Sequence, residues 1–207
     1  EYVKKVPELA KSKPKGQTNS TGLDEIAHAK EAYTSNLSTP VVDAICEKIM
    51  FLVMKYLPTA VEQGEDLDAR ERMMVAAALG GWVLNNGGTH LGHSLWHVVC
   101  AKYHLSHGNA CAYALPGFFE KTALVEPKKI REVGNILELS LPADLSNEEL
   151  GKEVAKGFKH FRDEILGLEP CQLKKEDVVG LTDQVVYERF AANSPFDVTH
   201  DIVKTIL

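Results

Sequence analysis

The sequence predicts an all-α domain, and three observations carry that reading. Apolar residues recur at helical spacing through most of the 207 residues. Capping residues, in one case followed by proline, stand where the periodic stretches begin. No stretch alternates apolar and polar positions with β-branched residues between turn signals, as a half-buried strand would.

Residues 1–20 are polar and without periodicity, and they carry Pro7, Pro14, Gly16 and a run of lysines. Residues 1–17 therefore read as a solvated linker or a cut end, with the folded domain over 18–207. Ser20 or Thr21 caps a helix over about 22–35. The NLSTP segment is a turn, with Thr39 as cap and Pro40 at the first helical position. The next helix, about 40–57, lines up Val41, Ile45, Ile49, Leu52, Val53 and Tyr56 on one face. Its centre, IMFLVM, is apolar nearly all round, which predicts burial on more than one side.

After the polar EQGED turn a third helix spans about 67–86 and is broken by Gly87 and Gly88. A fourth covers about 90–103, and a fifth begins over 108–114 and is expected to stop at Pro116–Gly117. Three amphipathic helices are expected over 127–139, 147–167 and 174–192. A turn at Asn193–Ser194–Pro195 then leads into a last short helix over 199–207. There is no internal repeat.

Charged residues make up 25% and apolar residues 44%, as in a soluble globular protein. A net charge of −6 argues against nucleic acid as a partner, since phosphate contacts need clustered Lys and Arg. The four cysteines, Cys46, Cys100, Cys111 and Cys171, are scattered and form no C-x-x-C pair. With no signal peptide visible, they read as reduced, mostly buried thiols of a cytoplasmic protein. From Met73 to Ala101 there is no charged residue, which is long enough to raise the question of a membrane span. Asn85, Asn86, Gly80, Gly81, Gly87, Gly88 and the histidines in the stretch argue against a lipid-facing helix. It reads instead as the buried centre of the helical domain.

Five of the eight histidines fall in and just beyond this stretch: His90, His93, His97, His104 and His107. An imidazole taken out of water without a partner costs a few kcal/mol. Either a bound metal or buried hydrogen bonding would account for them, and neutral imidazole is the commonest metal ligand. Asp24 and His28 are four apart on the first helix, hence on one face and about 6 Å apart along the axis. His93 and His97 have the same spacing. His107 lies fourteen residues beyond His93, about 21 Å away on a continuous helix, so the two can meet only if the chain turns over YHLSHG. A site of Asp24, His28, His93 and His107 would offer one carboxylate and three imidazoles. That set suits Fe²⁺, Zn²⁺, Co²⁺ or Ni²⁺ and disfavours Ca²⁺ and Mg²⁺. An ion held this way could polarise an alcohol or carbonyl oxygen.

TGLDEIAHAKEAYTS, followed some sixty residues later by NNGGTHLGHSLWHVVCAKYHLSHGNACAYALP, resembles the C-terminal helical domain of the iron-containing alcohol dehydrogenases. The resemblance runs from Thr18 to Leu207 and includes DLDARERMMVAAALGG and the NSP turn. It implies the dehydroquinate synthase-like helical fold, with Asp24, His28, His93 and His107 as ligands of Fe²⁺ or Zn²⁺. It also implies that His97 lines the pocket near the nicotinamide, where it would position substrate or relay a proton. A complete member carries an N-terminal nucleotide-binding domain with a Gly-Gly-Gly-Ser turn, and no such turn stands here. Gly80–Gly81 and Gly87–Gly88 follow no strand and are no substitute. Residues 1–17 are then the residual end of that domain.

The expected function is the metal-binding half of an NAD(P)-dependent alcohol dehydrogenase acting on a small alcohol or its aldehyde. NAD(P) is expected only with the nucleotide-binding domain, and the chain by itself is expected to be inactive. A homodimer with no membrane partner is expected. The competing readings are a helical metallohydrolase and a non-enzymatic metal-binding module. Among the other residues, His90 is expected as cap or pocket lining and His104 as a neighbour of the site. Trp82 and Trp96 read as core, His160 as solvated, and His200–Asp201 as a helix start.

Overall fold

The computed structural model describes residues 6–169 and 175–206. Ten α-helices account for most of them: α1 (Lys15–Thr34), α2 (Pro40–Glu62), α3 (Leu67–Asn86), α4 (Leu91–Tyr103), α5 (His107–Ala123), α6 (Pro127–Ile136), α7 (Asn147–His160), α8 (Lys175–Val179), α9 (Thr182–Val186) and α10 (His200–Ile206). No strand occurs among the described residues, so the all-α reading holds. None of the described helices is long and apolar enough to cross a membrane.

α1 is the central element. It packs against α2, α3, α4 and α5, while α7 covers α5 and α6 from the other side. One core joins them, running from Leu23 and Ile26 through Ile49, Val53 and Leu95 to Phe118, Phe119 and Phe158. α1 starts at Lys15, seven residues before the expected start, because the segment ahead of it is tied down. The buried Arg70 donates to Thr18 Oγ1 and to the Lys13 and Gly64 carbonyls, fixing the first turn against α3.

The starts of α2, α3 and α7 follow capping chemistry: Thr39, Asp66 and Ser146 each accept from the third backbone N–H beyond. Ser146 and Glu149 complete a capping box. Gly88 takes φ +68°, a conformation that suits glycine and reverses the chain between α3 and α4.

Several expected boundaries differ. On α2, Val41 is exposed and Val42 takes the buried position, and the helix continues through Pro58 to Glu62. α5 likewise runs through Pro116 to Ala123 rather than stopping there. Proline cannot donate to the carbonyl four residues back. Here that carbonyl, of Ala112, is taken by Nη1 of the buried Arg162 at 3.1 Å. A partner from another helix thus replaces the bond that Pro116 removes.

The helix expected over 147–167 is α7 with a π-helical turn at Phe161–Ile165. The one expected over 174–192 is broken into α8, α9 and a 3₁₀ turn at Arg189–Asn193, with Glu188 capping that turn through Phe190 N. The uncharged stretch is only partly central. α4 is buried over Leu91–Trp96, but the outer side of α3 exposes Trp82 and Leu84, so Trp82 is a surface residue and not core. Cys46 and Cys111 are buried and unbridged and Cys100 is half-buried, while Cys171 lies outside the described residues.

Candidate metal centre

Three helices bring the sequence-predicted residues together. α1 presents Asp24 and His28 from successive turns, α4 presents His93, and the first residue of α5 is His107. The link between α4 and α5 is the turn that the fourteen-residue spacing demands. Tyr103 ends α4, His104 takes the left-handed conformation (φ 54°), and α5 starts three residues on. Gly108 then lets α5 seat against α1, because a Cβ there would overlap the backbone carbonyl of Ser20. The Ser20 and Ser106 hydroxyls hydrogen-bond across that junction at 2.6 Å.

The geometry centres on one carboxylate oxygen. Asp24 Oδ1 stands 3.8 Å from His28 Nε2, 3.8 Å from His93 Nε2 and 3.7 Å from His107 Nε2. These distances are too long for hydrogen bonds. Donors sharing one tetrahedral ion at about 2.1 Å would lie about 3.4 Å apart, so a small inward movement suffices. Asp24 Oδ1 and His93 Nε2 are both buried and lack a hydrogen-bond partner. Acceptor atoms converging on one point without a donor are costly, and a cation between them removes the cost. The nitrogen-rich donor set fits a first-row divalent ion. A fifth side chain, Cys111 of α5, adjoins the site: the donor atoms of Asp24, His93, His107 and Cys111 all lie within 4.8 Å of one another, a group that does not include His28.

Exposure is graded across the site. His93 forms the floor at 4% exposed, His28 is mostly covered, and His107 and His97 stand at the mouth at 34% and 42%. The His97 ring stacks on His107 and tilts against Phe190. Its Nδ1 faces Glu188 Oε1 at 3.7 Å, and Glu188 in turn accepts from Ser94 Oγ and Phe190 N. Burial pushes the Glu188 carboxyl up, but these two bonds and His97 outweigh it and hold the group below its usual range.

Beneath the floor lies Glu31, fully buried on α1. One oxygen accepts from the backbone N–H of His90 and His93 at 2.7 and 3.2 Å, and the other lies 2.9 Å from His93 Nδ1. Burial raises this carboxyl, yet the facing His93 and His90 rings hold it well below the ordinary carboxylate range. Around the site, burial pulls His28 down but Glu25 and Asp24 raise it overall, whereas burial lowers His107 despite Asp24.

The cluster also divides as the spacing could not show. His90 is a core histidine: burial lowers its pKa to about 3, and its Nε2 pairs with Thr34 Oγ1 at 3.0 Å. Thr34 Oγ1 donates to the Lys30 carbonyl, so His90 Nε2–H is the donor of that pair. His104 is exposed in the turn, and His160 is exposed beside Glu164. His200 starts α10 and bonds Asp183. Trp96 is buried core.

Sequence reasoning did not single out Glu31, Glu188 or Cys111. Glu31 is seven residues beyond Asp24 on the same helix face, a spacing that could have found it. Glu188 comes from a break in the chain with no periodic signal.

A family model described as the C-terminal part of the Fe-containing alcohol dehydrogenase family matches residues 18–207. The chain belongs to the iron-containing alcohol dehydrogenase family. Alcohol dehydrogenase 4 of Schizosaccharomyces pombe is 33% identical over 97% of this chain and 47% of that protein. The NAD-dependent methanol dehydrogenase of Bacillus methanolicus is 39% identical over 63% of this chain and 34% of that protein. Among solved structures, an alcohol dehydrogenase from Oenococcus oeni superposes with a TM-score of 0.88 at 29% identity, covering 97% of this chain and 53% of that one. The chain thus spans less than half the length of these two curated relatives, and the part of the iron-containing alcohol dehydrogenase family that it matches is the C-terminal one.

Proposed function

We propose that the chain is the metal-binding half of an NAD(P)-dependent alcohol dehydrogenase, interconverting a small alcohol and its aldehyde or ketone. The supporting observation is the convergence of three imidazole nitrogens on Asp24 Oδ1, with that oxygen and His93 Nε2 buried and unpartnered. Asp24, His28, His93 and His107 would hold Fe²⁺ or Zn²⁺, which when bound supplies a Lewis acid for the substrate oxygen.

The chain's own residues supply the rest. His93 and His28 anchor the inner side of the site, and Asp24 contributes its only negative charge among the four. His107 leaves an approach from the mouth. His97 stands there with Glu188 facing Nδ1, so Nε2 is the ring atom offered to substrate, to orient it or to hold and pass a proton. Phe190 closes one side of that ring against water.

Hydride transfer requires the nicotinamide to be held against the substrate carbon. The activity is therefore assigned to this chain joined to a nucleotide-binding domain, and the chain by itself is expected to bind metal without turnover. The resemblance also carries the expectation of a homodimer, which sedimentation reads directly.

Metal analysis of the purified chain and of His93→Ala tests the reading. One equivalent of Fe²⁺ or Zn²⁺ in the parent and none in the variant is expected. A parent that is metal-free and takes up neither ion overturns it. Fusion to a nucleotide-binding domain should give alcohol-dependent NAD(P)H formation. An inactive fusion, with ester or phosphoester hydrolysis by the bare chain, would assign a hydrolase instead.

A further inference from the structure

Glu31 makes two kinds of bond with its two oxygens, and the difference between them has a chemical consequence. Oε2 accepts from two backbone amides at the start of α4, of His90 and of His93. Those amides have no helical carbonyl to bond, so Oε2 serves as the cap that the His90 side chain does not provide. Oε1 meets the His93 ring at Nδ1, 2.9 Å away. Gly92 is what admits the carboxylate, since a Cβ at that position would overlap Oε1. The carboxylate is buried to 2% exposure, so water does not compete for these positions.

A carboxylate only accepts, so the His93 ring must place its proton on Nδ1. In the neutral ring that leaves Nε2 with a bare lone pair, aimed at Asp24 Oδ1 and without a hydrogen-bond partner. We infer that Glu31 is a positioning residue that selects the His93 tautomer able to bind metal, and that the α4 cap locks which of its two oxygens does so. The inference rests on the metal-binding reading above and adds a residue to it. Carboxylate partners of this kind orient metal-bound histidines generally. What is particular here is the cap.

The cap makes Glu31→Gln an unusually sharp test. Two backbone N–H groups demand an acceptor at the Oε2 position, so the amide oxygen of the glutamine is held there. Its NH₂ then falls at the Oε1 position and donates to His93 Nδ1. The ring can accept only by moving its proton to Nε2, the atom that must ligate. The variant keeps the shape, the cap and the packing, and it reverses the tautomer while removing one negative charge beside the His93 and His90 rings.

The experiment is ¹⁵N NMR of the histidine rings in the metal-free chain, paired with Zn²⁺ affinity from chelator competition. The parent should show His93 protonated at Nδ1, and Glu31→Gln should show it protonated at Nε2 with unchanged helical circular dichroism. Zn²⁺ affinity should fall about 10- to 100-fold in Glu31→Gln. Parent His93 protonated at Nε2 overturns the proposal, and this outcome needs no variant to fold. So does a folded Glu31→Gln that keeps Nδ1–H or binds Zn²⁺ within twofold of the parent. If the tautomer reverses as stated and neither protein takes up Zn²⁺, the positioning by Glu31 stands and the metal reading falls.

Discussion

Asp24 Oδ1 and His93 Nε2 face each other across 3.8 Å from different helices, buried, and neither has a hydrogen-bond partner. α1 and α4 therefore meet over an electrostatic gap that an ion would close. Metal bound only by the folded chain stabilises it by about 2.7 kcal/mol at a hundredfold excess over Kd. Stripping the ion with a chelator should lower Tm by about 5–10 °C for a chain of this size. His93→Ala should melt at the same temperature with and without chelator. Unchanged melting of the parent would remove the structural role assigned to the ion.

Gly108 determines whether His107 reaches the site. Gly108→Ala places a methyl group against the Ser20 carbonyl, which is backbone and cannot swing aside. The expected cost is about 1–3 kcal/mol, measured by urea unfolding, with weaker Zn²⁺ binding because His107 moves with its helix. Gly81→Ala is the control, since nothing lies within 4 Å of its added Cβ. On an exposed helix that change should be neutral or stabilise by up to about 1 kcal/mol. Equal effects at the two positions would defeat the argument.

Arg162 and Pro116 should be coupled. Arg162→Ala leaves the Ala112 carbonyl with neither its helical partner nor the guanidinium, at a cost of about 1–3 kcal/mol. Pro116→Ala restores a backbone N–H to that carbonyl. A double-mutant cycle should then show Arg162→Ala costing less by about 1 kcal/mol or more in the Pro116→Ala background. Additive effects would mean that the bond to Ala112 carries little of the role of Arg162.

Lys30 should shape stability above neutral pH. It is fully buried, donates to Thr122 Oγ1 at 3.1 Å, and burial pulls its pKa down from 10.5 to about 7 despite Glu31. Between pH 7 and 10.5 the unfolded chain holds a proton that the folded chain has lost. Stability from this group therefore rises with pH across that window, by at most about 1.4 kcal/mol per unit. The clearest reading is between pH 7 and 9, before Tyr33 and Cys46, both pushed up by burial, act in the opposite sense. Lys30→Met should be more stable than the parent at pH 7 and lose part of this slope. Parallel stability curves for the two proteins would refute the assignment.

Much of the fold was legible in the chain. Thr39–Pro40, the EQGED turn and the Gly87–Gly88 break mark element ends because capping and glycine chemistry act within a few residues. The misjudged points were those where a distant group overrides a local signal. Pro116 reads as a stop until Arg162 takes the carbonyl it frees. The 174–192 segment reads as one amphipathic helix, but the structure breaks it and delivers Glu188 to Ser94 and His97. Trp82 reads as core in an uncharged stretch, yet α3 turns it outward.

By itself the sequence determined an all-α chain, the Asp24–His28 pair on one helix face, and the need for a turn between His93 and His107, because helical periodicity and spacing are local properties. Only the tertiary structure decided which histidines share Asp24 Oδ1, that His90 is a neutral core residue, and that Glu31 lies under His93. Those facts depend on which helix faces which and on burial that strips away water, and neither is written at any one position of the chain.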